Sequence, residues 1–131
     1  MRLLLASCLV LLTACAVVPP SRPPVKMGEE FTLALGESVG IEQKGVLITF
    51  GKVIEDSRCP MNARCIWEGN ARIEIRVRGS APARSEINTS TRFNTSAKIA
   101  DFILELRRLE PDRMAGAPTK GYVATLFVGA P

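Results

Sequence analysis

Hydrophobic and polar residues alternate along much of the chain after residue 28. In the clearest stretch, residues 71–78, Ile73, Ile75 and Val77 fall on one side and charged residues on the other. A period of two is typical of a β-strand that packs on a core with one face and meets water with the other. Weaker versions of this pattern predict strands at 30–35, 37–42, 46–50, 85–91 and 122–128. Gly51 predicts a bulge leading into 52–54.

One further segment, residues 98–108, fits two patterns. Phe102, Leu104 and Leu106 alternate with more polar positions, which indicates a strand. A helix is also possible, because one helical face would collect Ile99, Phe102, Ile103, Leu106 and Leu109. We favour the strand, since its neighbours are strands and Pro111 ends it. About seven short strands with turns between them predict an all-β domain, an antiparallel β sandwich over residues 29–131.

The first 14 residues form a targeting segment rather than a part of this domain. Arg2 precedes an apolar run of ten residues, 3–12, which is too short to span a bilayer and has the length of a signal-peptide core. The run ends in Leu-Thr-Ala-Cys at 12–15, which resembles the lipobox of bacterial lipoproteins. That resemblance implies a diacylglyceryl group on the Cys15 thiol, cleavage before it and acylation, commonly by palmitate, of the new amino terminus.

Anchoring by lipid is the prediction for Cys15, and the plain alternative is an ordinary cleaved signal with an incidental cysteine. Ala16 follows, not Asp, and by the same resemblance this favours the outer membrane, facing the periplasm. Residues 15–28 contain four prolines, which disfavour helix and sheet and predict an extended tether of up to about 40 Å. A proline motif bound by a partner is the alternative reading of this stretch.

Apart from Cys15, two cysteines remain after cleavage, Cys59 and Cys65. An oxidising compartment favours a disulfide between them, and closing so short a loop contributes about 2–2.5 kcal/mol. Redox catalysis is disfavoured because the spacing is not Cys-x-x-Cys. A metal site is disfavoured because only two sulfur ligands and no histidine are available. We therefore expect no metal and no cofactor.

The residues around this loop are the candidate binding site. Trp67 is the only tryptophan; we favour packing over the disulfide, with an exposed anchor for a partner as the alternative. Asp56 is expected to cap the turn through backbone N–H groups. Arg58 and Arg64 are expected to pair with Glu55, Asp56 or Glu68, and these charges could form a rim that binds an anion or a partner.

The motif Asp-Ser-Arg-Cys-Pro at 56–60, followed by Cys65, Trp67 and Gly69, resembles the signature of a family of small bacterial exported proteins and lipoproteins without an established function. The similarity continues into residues 70–77, 104–111 and the strand beginning at Tyr122. It implies a β-rich domain outside the cytoplasm. It implies no reaction, ligand or catalytic residue.

Composition removes several function classes. The chain has no histidine, so a Ser-His-Asp or Cys-His catalytic centre is impossible. Its net charge of +4 is scattered rather than clustered, which argues against nucleic acid as a partner. We expect a non-catalytic binding or structural module of the cell envelope, whose partners are the membrane, through its lipid, and an envelope protein. The alternative is a hydrolase built on Glu55, Asp56 and Glu68.

Overall fold

The computed structural model describes residues 22–131, so the predicted signal segment, Cys15 and the first part of the tether lie outside the described residues. This region contains eight strands and no helix: β1 (Glu30–Ala34), β2 (Ser38–Ile41), β3 (Val46–Asp56), β4 (Ala71–Gly79), β5 (Ala83–Asn88), β6 (Ser96–Ile99), β7 (Phe102–Glu110) and β8 (Val123–Gly129). Within it, no helix is long and apolar enough to cross a membrane.

The strands form two four-stranded antiparallel sheets that pack face to face. One sheet has the order β2-β3-β4-β5 and the other the order β1-β8-β7-β6. Strands β2 to β5 and β6 to β8 pair in succession, the chain crosses between the sheets from β1 to β2 and from β5 to β6, and β8 returns to lie beside β1, so short connections suffice to build the fold. The prediction of an all-β antiparallel sandwich is confirmed, with eight strands instead of about seven.

The core is built from the apolar faces that alternation predicts. In β4, Ile73, Ile75 and Val77 are buried, and the same period places alternate residues of β3 and β7 in the interior. The largest fully buried side chains are Phe50, Phe102, Leu33, Ile48, Ile73, Ile75, Ile87, Ile99, Leu104 and Leu126. Burying an apolar side chain of this size contributes about 1.5–3 kcal/mol, so this shared core holds the two sheets together.

Residues 98–108 are extended, as favoured, but they belong to two strands. A tight turn at Ala100 and Asp101, with Ala100 at a φ of 50°, separates β6 from β7. A register shift between Leu106 and Arg108 then returns Leu109 to the buried face. Because of this turn and this bulge, the buried residues include Ile99, Phe102, Leu106 and Leu109, whose spacing also fits one face of a helix. The bulge predicted at Gly51 is confirmed by the shift between Phe50 and Lys52.

The folded unit begins before residue 29, where the tether was predicted to end. Val25 is only 7% exposed and belongs to the core. Its amide donates to Gly40 O at 2.9 Å, and it forms a parallel bridge with Ile41 of β2. Residues 22–28 therefore pack along the sandwich edge between β1 and β2 instead of acting as a free spacer.

Three connections meet at one end of the sandwich: 57–70 between β3 and β4, 89–95 between β5 and β6, and 111–122 between β7 and β8. Asp56 pairs with Ala71 at this end, and the Ala71 carbonyl accepts from the Thr89 amide at 2.9 Å. We call it the Cys-loop end. The opposite end carries the connections 42–45, 80–82 and 100–101, where Lys44 pairs with Asp101.

Candidate functional site

The disulfide predicted between Cys59 and Cys65 is confirmed, with 5.9 Å between the two Cα atoms. The chain on either side of it continues the β3–β4 pairing, because Ser57 N–H donates to Asn70 O at 2.7 Å and Cys59 N–H donates to Glu68 O at 2.8 Å. Gly69 adopts a φ of 73°, and a Cβ atom there would lie 2.0 Å from Ser57 O. The loop therefore requires glycine at this position.

A nearly buried ion pair fixes the base of the loop. Asp56 accepts from Arg58 Nε and Nη2, both at 2.8 Å, and from the Tyr122 hydroxyl at 2.9 Å. It also accepts from the Arg58 amide at 3.3 Å, so the expected turn-capping role is present. Arg58 Nη1 donates to Leu109 O at 2.7 Å, and Nη2 donates to Pro111 O at 2.9 Å. This bidentate pair ties β3 to the ends of β7 and β8.

Burial by itself would raise the pKa of Asp56, but hydrogen bonds from Arg58 and Tyr122 outweigh it and hold this pKa below its ordinary value. For Arg58, the hydrogen bonds from its guanidinium to Asp56 raise the pKa and keep the group charged. Burial, and then the hydrogen bond to Asp56, raise the pKa of Tyr122. Asp56 is therefore an ionised structural carboxylate, and it is poorly suited to act as a general acid.

The loop is also fastened to the β7–β8 connection. Met61 N–H donates to Arg113 O at 2.9 Å, and Arg113 Nη1 donates back to Arg58 O at 2.7 Å. Asn62 Oδ1 accepts from the Ala115 amide at 2.8 Å. These contacts, together with the disulfide, give the segment 57–70 a defined conformation without regular secondary structure.

A buried amide network joins the Cys loop to the 89–95 connection. Asn70 Nδ2 donates to Asn88 Oδ1 at 2.9 Å, and Asn88 Nδ2 donates to Asn94 O at 3.0 Å. Asn70 Oδ1 accepts from the Ser90 amide at 3.1 Å, while the Ser90 hydroxyl donates to Glu68 at 2.7 Å. Since buried amides are costly when unpaired, the network sets how the two loops lie against each other.

This arrangement brings four side chains of the two loops together into what we call the Trp67 patch: Ile66, Trp67, Arg92 and Phe93. Ile66 is fully exposed, Phe93 is 51% exposed and Trp67 is 39% exposed. The Arg92 guanidinium lies 5.4 Å from the centroid of the Trp67 ring, within cation–π distance. Trp67 is therefore partly exposed beside Arg92 and is not a buried core residue, while its packing over the disulfide stays a prediction.

Beside the patch, on the outer face of the β3–β4–β5 sheet, lies a cleft of about 410 Å³. Trp67 and Phe93 line it together with Glu55, Arg72 and Glu86 from the three strands. Arg72 lies 3.8 Å from Glu55 and 3.4 Å from Glu86. Its Nε atom is buried and has no hydrogen-bond partner within residues 22–131. The cleft thus combines aromatic walls with a charged floor.

The remaining candidates are placed separately. The three carboxylates considered for hydrolysis have different partners: Asp56 binds Arg58, Glu55 faces Arg72 in the cleft, and Glu68 accepts from Ser90. Arg64 is exposed and forms no ion pair with any described residue. The expected rim of Arg58 and Arg64 is therefore absent from the described structure, because Arg58 points inward.

Sequence reasoning missed Arg92 and Phe93, which supply half of the Trp67 patch. The one available signal was a large apolar residue inside the polar run Ser-Thr-Arg-Phe-Asn-Thr at 90–95. Cys15 lies outside the described residues. Within residues 22–131, no group of three acidic or cysteine side chains is arranged to hold a metal ion.

Comparisons with protein families, with curated proteins and with solved structures find no match for this chain. The resemblance to the small exported family therefore stays an expectation, which is based on the motif at 56–69 and the similarity in 70–77, 104–111 and the strand beginning at Tyr122.

Proposed function

We propose that this protein is a lipid-anchored lipoprotein of the cell envelope, held by Cys15 in the outer membrane and facing the periplasm, and that it acts as a non-catalytic binding module. Its binding surface is the Trp67 patch with the adjoining cleft. The disulfide between Cys59 and Cys65 supports the location, because such bonds persist in oxidising compartments.

The observation that carries the proposal is the exposure of Ile66, Trp67 and Phe93 on loops that are otherwise tightly fixed. Contiguous exposed apolar side chains on a soluble domain commonly mark an interaction site. Here the supporting loops are held by a disulfide, a buried ion pair and a buried amide network. A surface that is ordered before binding loses little conformational entropy on association.

Binding is favoured over hydrolysis because the candidate carboxylates do not share one cavity. Glu55 lines the cleft, Glu68 lies in a different hollow beside Cys59, and Asp56 lines neither. Acid–base hydrolysis needs a pair of carboxylates that face one substrate. Glu86 does share the cleft with Glu55, but both carboxylates flank Arg72 and pair with it.

Photo-crosslinking in intact cells tests the binding surface. A photoreactive residue at position 66 should give a discrete adduct, and the same residue at Met27, which is exposed at the opposite end, should not. Ile66 suits this substitution because its side chain makes little contact with the fold. Adduct formation should fall when Trp67 is replaced by alanine. Equal labelling from positions 66 and 27 would remove the support for a site here.

Intact-protein mass spectrometry tests the anchor. The mature chain should begin at Cys15 and carry the added mass of a diacylglyceryl group and an amide-linked acyl chain. A mature protein whose first residue is an unmodified cysteine, or one cleaved elsewhere, would contradict the lipoprotein assignment.

A further inference from the structure

Exposed apolar side chains are concentrated at one end of the domain. Residues 22–131 contain seven exposed large hydrophobic side chains. Met27 lies at the opposite end, and Leu35 lies on the β1–β2 connection, where its amide donates to Tyr122 O at 2.9 Å. The other five lie on the three connections of the Cys-loop end: Met61, Ile66, Trp67, Phe93 and Met114. Of these five, Ile66, Trp67 and Phe93 lie together in the Trp67 patch.

Basic residues are also more frequent at the Cys-loop end than at the opposite end. The three connections of the Cys-loop end contain two acidic and five basic residues, one of which, Arg58, is nearly buried in its pair with Asp56. The turns 26–29, 42–45, 80–82 and 100–101 at the opposite end contain two basic and three acidic residues. Arg64, Arg92 and Lys120 at the Cys-loop end are exposed. A basic rim around apolar tips is complementary to an anionic lipid surface.

The chain before Val25 also runs towards the Cys-loop end. Val25 lies parallel to β2 at Ile41, and β2 runs away from the Cys-loop end. Traced backwards, the chain therefore heads towards the Cys-loop end, and Arg22 reaches Thr32 O at 2.6 Å and Glu37 at 3.3 Å.

The length of chain between the anchor and the domain also fits. Glu37 lies level with Phe50, whose amide donates to Glu37 O at 3.1 Å. From Phe50 to Asp56, where the Cys loop begins, β3 covers about 20 Å. Six residues separate Cys15 from Arg22, and such a segment spans at most about 25 Å. A fully extended segment would therefore reach the level of Asp56, at the base of the Cys-loop end.

We propose that the Cys-loop end lies on the membrane that carries the lipid anchor, with Ile66, Trp67 and Phe93 in the interfacial layer and Arg64 and Arg92 against anionic headgroups. This inference rests on the proposed function and names the lipid surface as the partner of the Trp67 patch. Tryptophan and arginine suit this boundary because each has an apolar part and a polar end. Docking would hold the domain in one orientation, with the cleft next to the headgroups.

Fluorescence of the single tryptophan tests the proposal directly. The full lipidated protein is reconstituted in vesicles of phosphatidylcholine and phosphatidylglycerol, with or without brominated acyl chains. Bromine quenches tryptophan only on close approach, so Trp67 emission should fall in the brominated vesicles. The quenching should weaken in Ile66→Asp and at high salt, and it should persist in Met27→Asp, the matched control at the opposite end.

Unquenched Trp67 emission from protein that is bound to brominated vesicles through its anchor would overturn membrane docking. If crosslinking from position 66 still gave a discrete protein adduct, the binding-module proposal would survive with a protein as its partner. Loss of quenching in Ile66→Asp and Met27→Asp alike would also count against docking by this end. An unmodified Cys15 would instead overturn the anchor, and with it this inference.

Discussion

Replacing Asp56 by alanine should destabilise the domain more than any other single change to a charged residue of the Cys loop. The Asp56 side chain is 7% exposed and that of Arg58 is 14% exposed. Without the carboxylate, the guanidinium keeps only the carbonyl oxygens of Leu109 and Pro111 as partners, and its charge stays nearly buried. Removing one member of such a pair costs about 3–5 kcal/mol. Tyr122 also loses its acceptor.

Urea unfolding followed by circular dichroism would measure the loss. Glu55→Ala is the matched control, because Glu55 is the neighbouring carboxylate, is mostly exposed and lies 3.8 Å from Arg72; it should cost less than about 1 kcal/mol. The double variant Asp56→Ala/Arg58→Met should lose less than the sum of the two single variants, because it leaves no buried charge. Equal costs for Asp56→Ala and Glu55→Ala, or strictly additive effects, would refute this reasoning.

The same pair predicts a pH dependence. The folded state lowers the pKa of Asp56 below its ordinary 3.8, so the ionised form is favoured by folding. Its contribution is fully present above pH 3.8 and is lost as the pH falls through the lower folded value. Stability of the parent protein should therefore drop below about pH 4 more steeply than that of Asp56→Asn. Parallel curves for the two proteins would contradict the assignment.

Three further predictions concern the scaffold of the site. Gly69→Ala should cost more than about 2 kcal/mol in urea unfolding, because the new Cβ meets a backbone oxygen at 2.0 Å and φ is positive; an unchanged midpoint would show that the loop conformation is different. Replacing both Cys59 and Cys65 by serine should cost about 2 kcal/mol, the entropy of a loop this short, and a neutral outcome would mean that the contacts of the loop hold it alone. Asn70→Ala should cost about 1–3 kcal/mol, because Asn88 Oδ1 and the Ser90 amide lose their partner, and it should raise amide hydrogen exchange across 89–95. Unaltered exchange there would show that the network does not couple the two loops.

Alternation identified the buried faces because it is a local property of a strand with one face on a core. Alternation predicted the wrong face where pairing with a neighbouring strand introduces a bulge or a turn. The bulge after Leu106 and the turn at Ala100 shift which residues face inward, and a sequence cannot show a bulge without its partner. Glu74 was expected to point to water, but Lys52, Arg76 and Arg84 cover it and leave its side chain 5% exposed.

The candidate site was only half predictable for a similar reason. The cysteine pair, Asp56 and Trp67 stand within one motif, so their proximity follows from the sequence. Phe93 lies 26 residues beyond Trp67 and reaches it because Arg72 pairs with Asn88 in the sheet. Nothing in the polar run around Phe93 specifies that pairing.

By itself, the sequence determined the strand-rich architecture, the apolar faces and the disulfide, because each depends on the period or spacing of nearby residues. Only the tertiary structure decided that Arg58 turns inward to Asp56, that Trp67 stays outside the core, and that residues 22–28 belong to the domain. Those outcomes depend on which distant backbone groups and side chains share one space. The choice between an exposed and a buried side chain is a competition between such neighbours, and the chain order does not contain it.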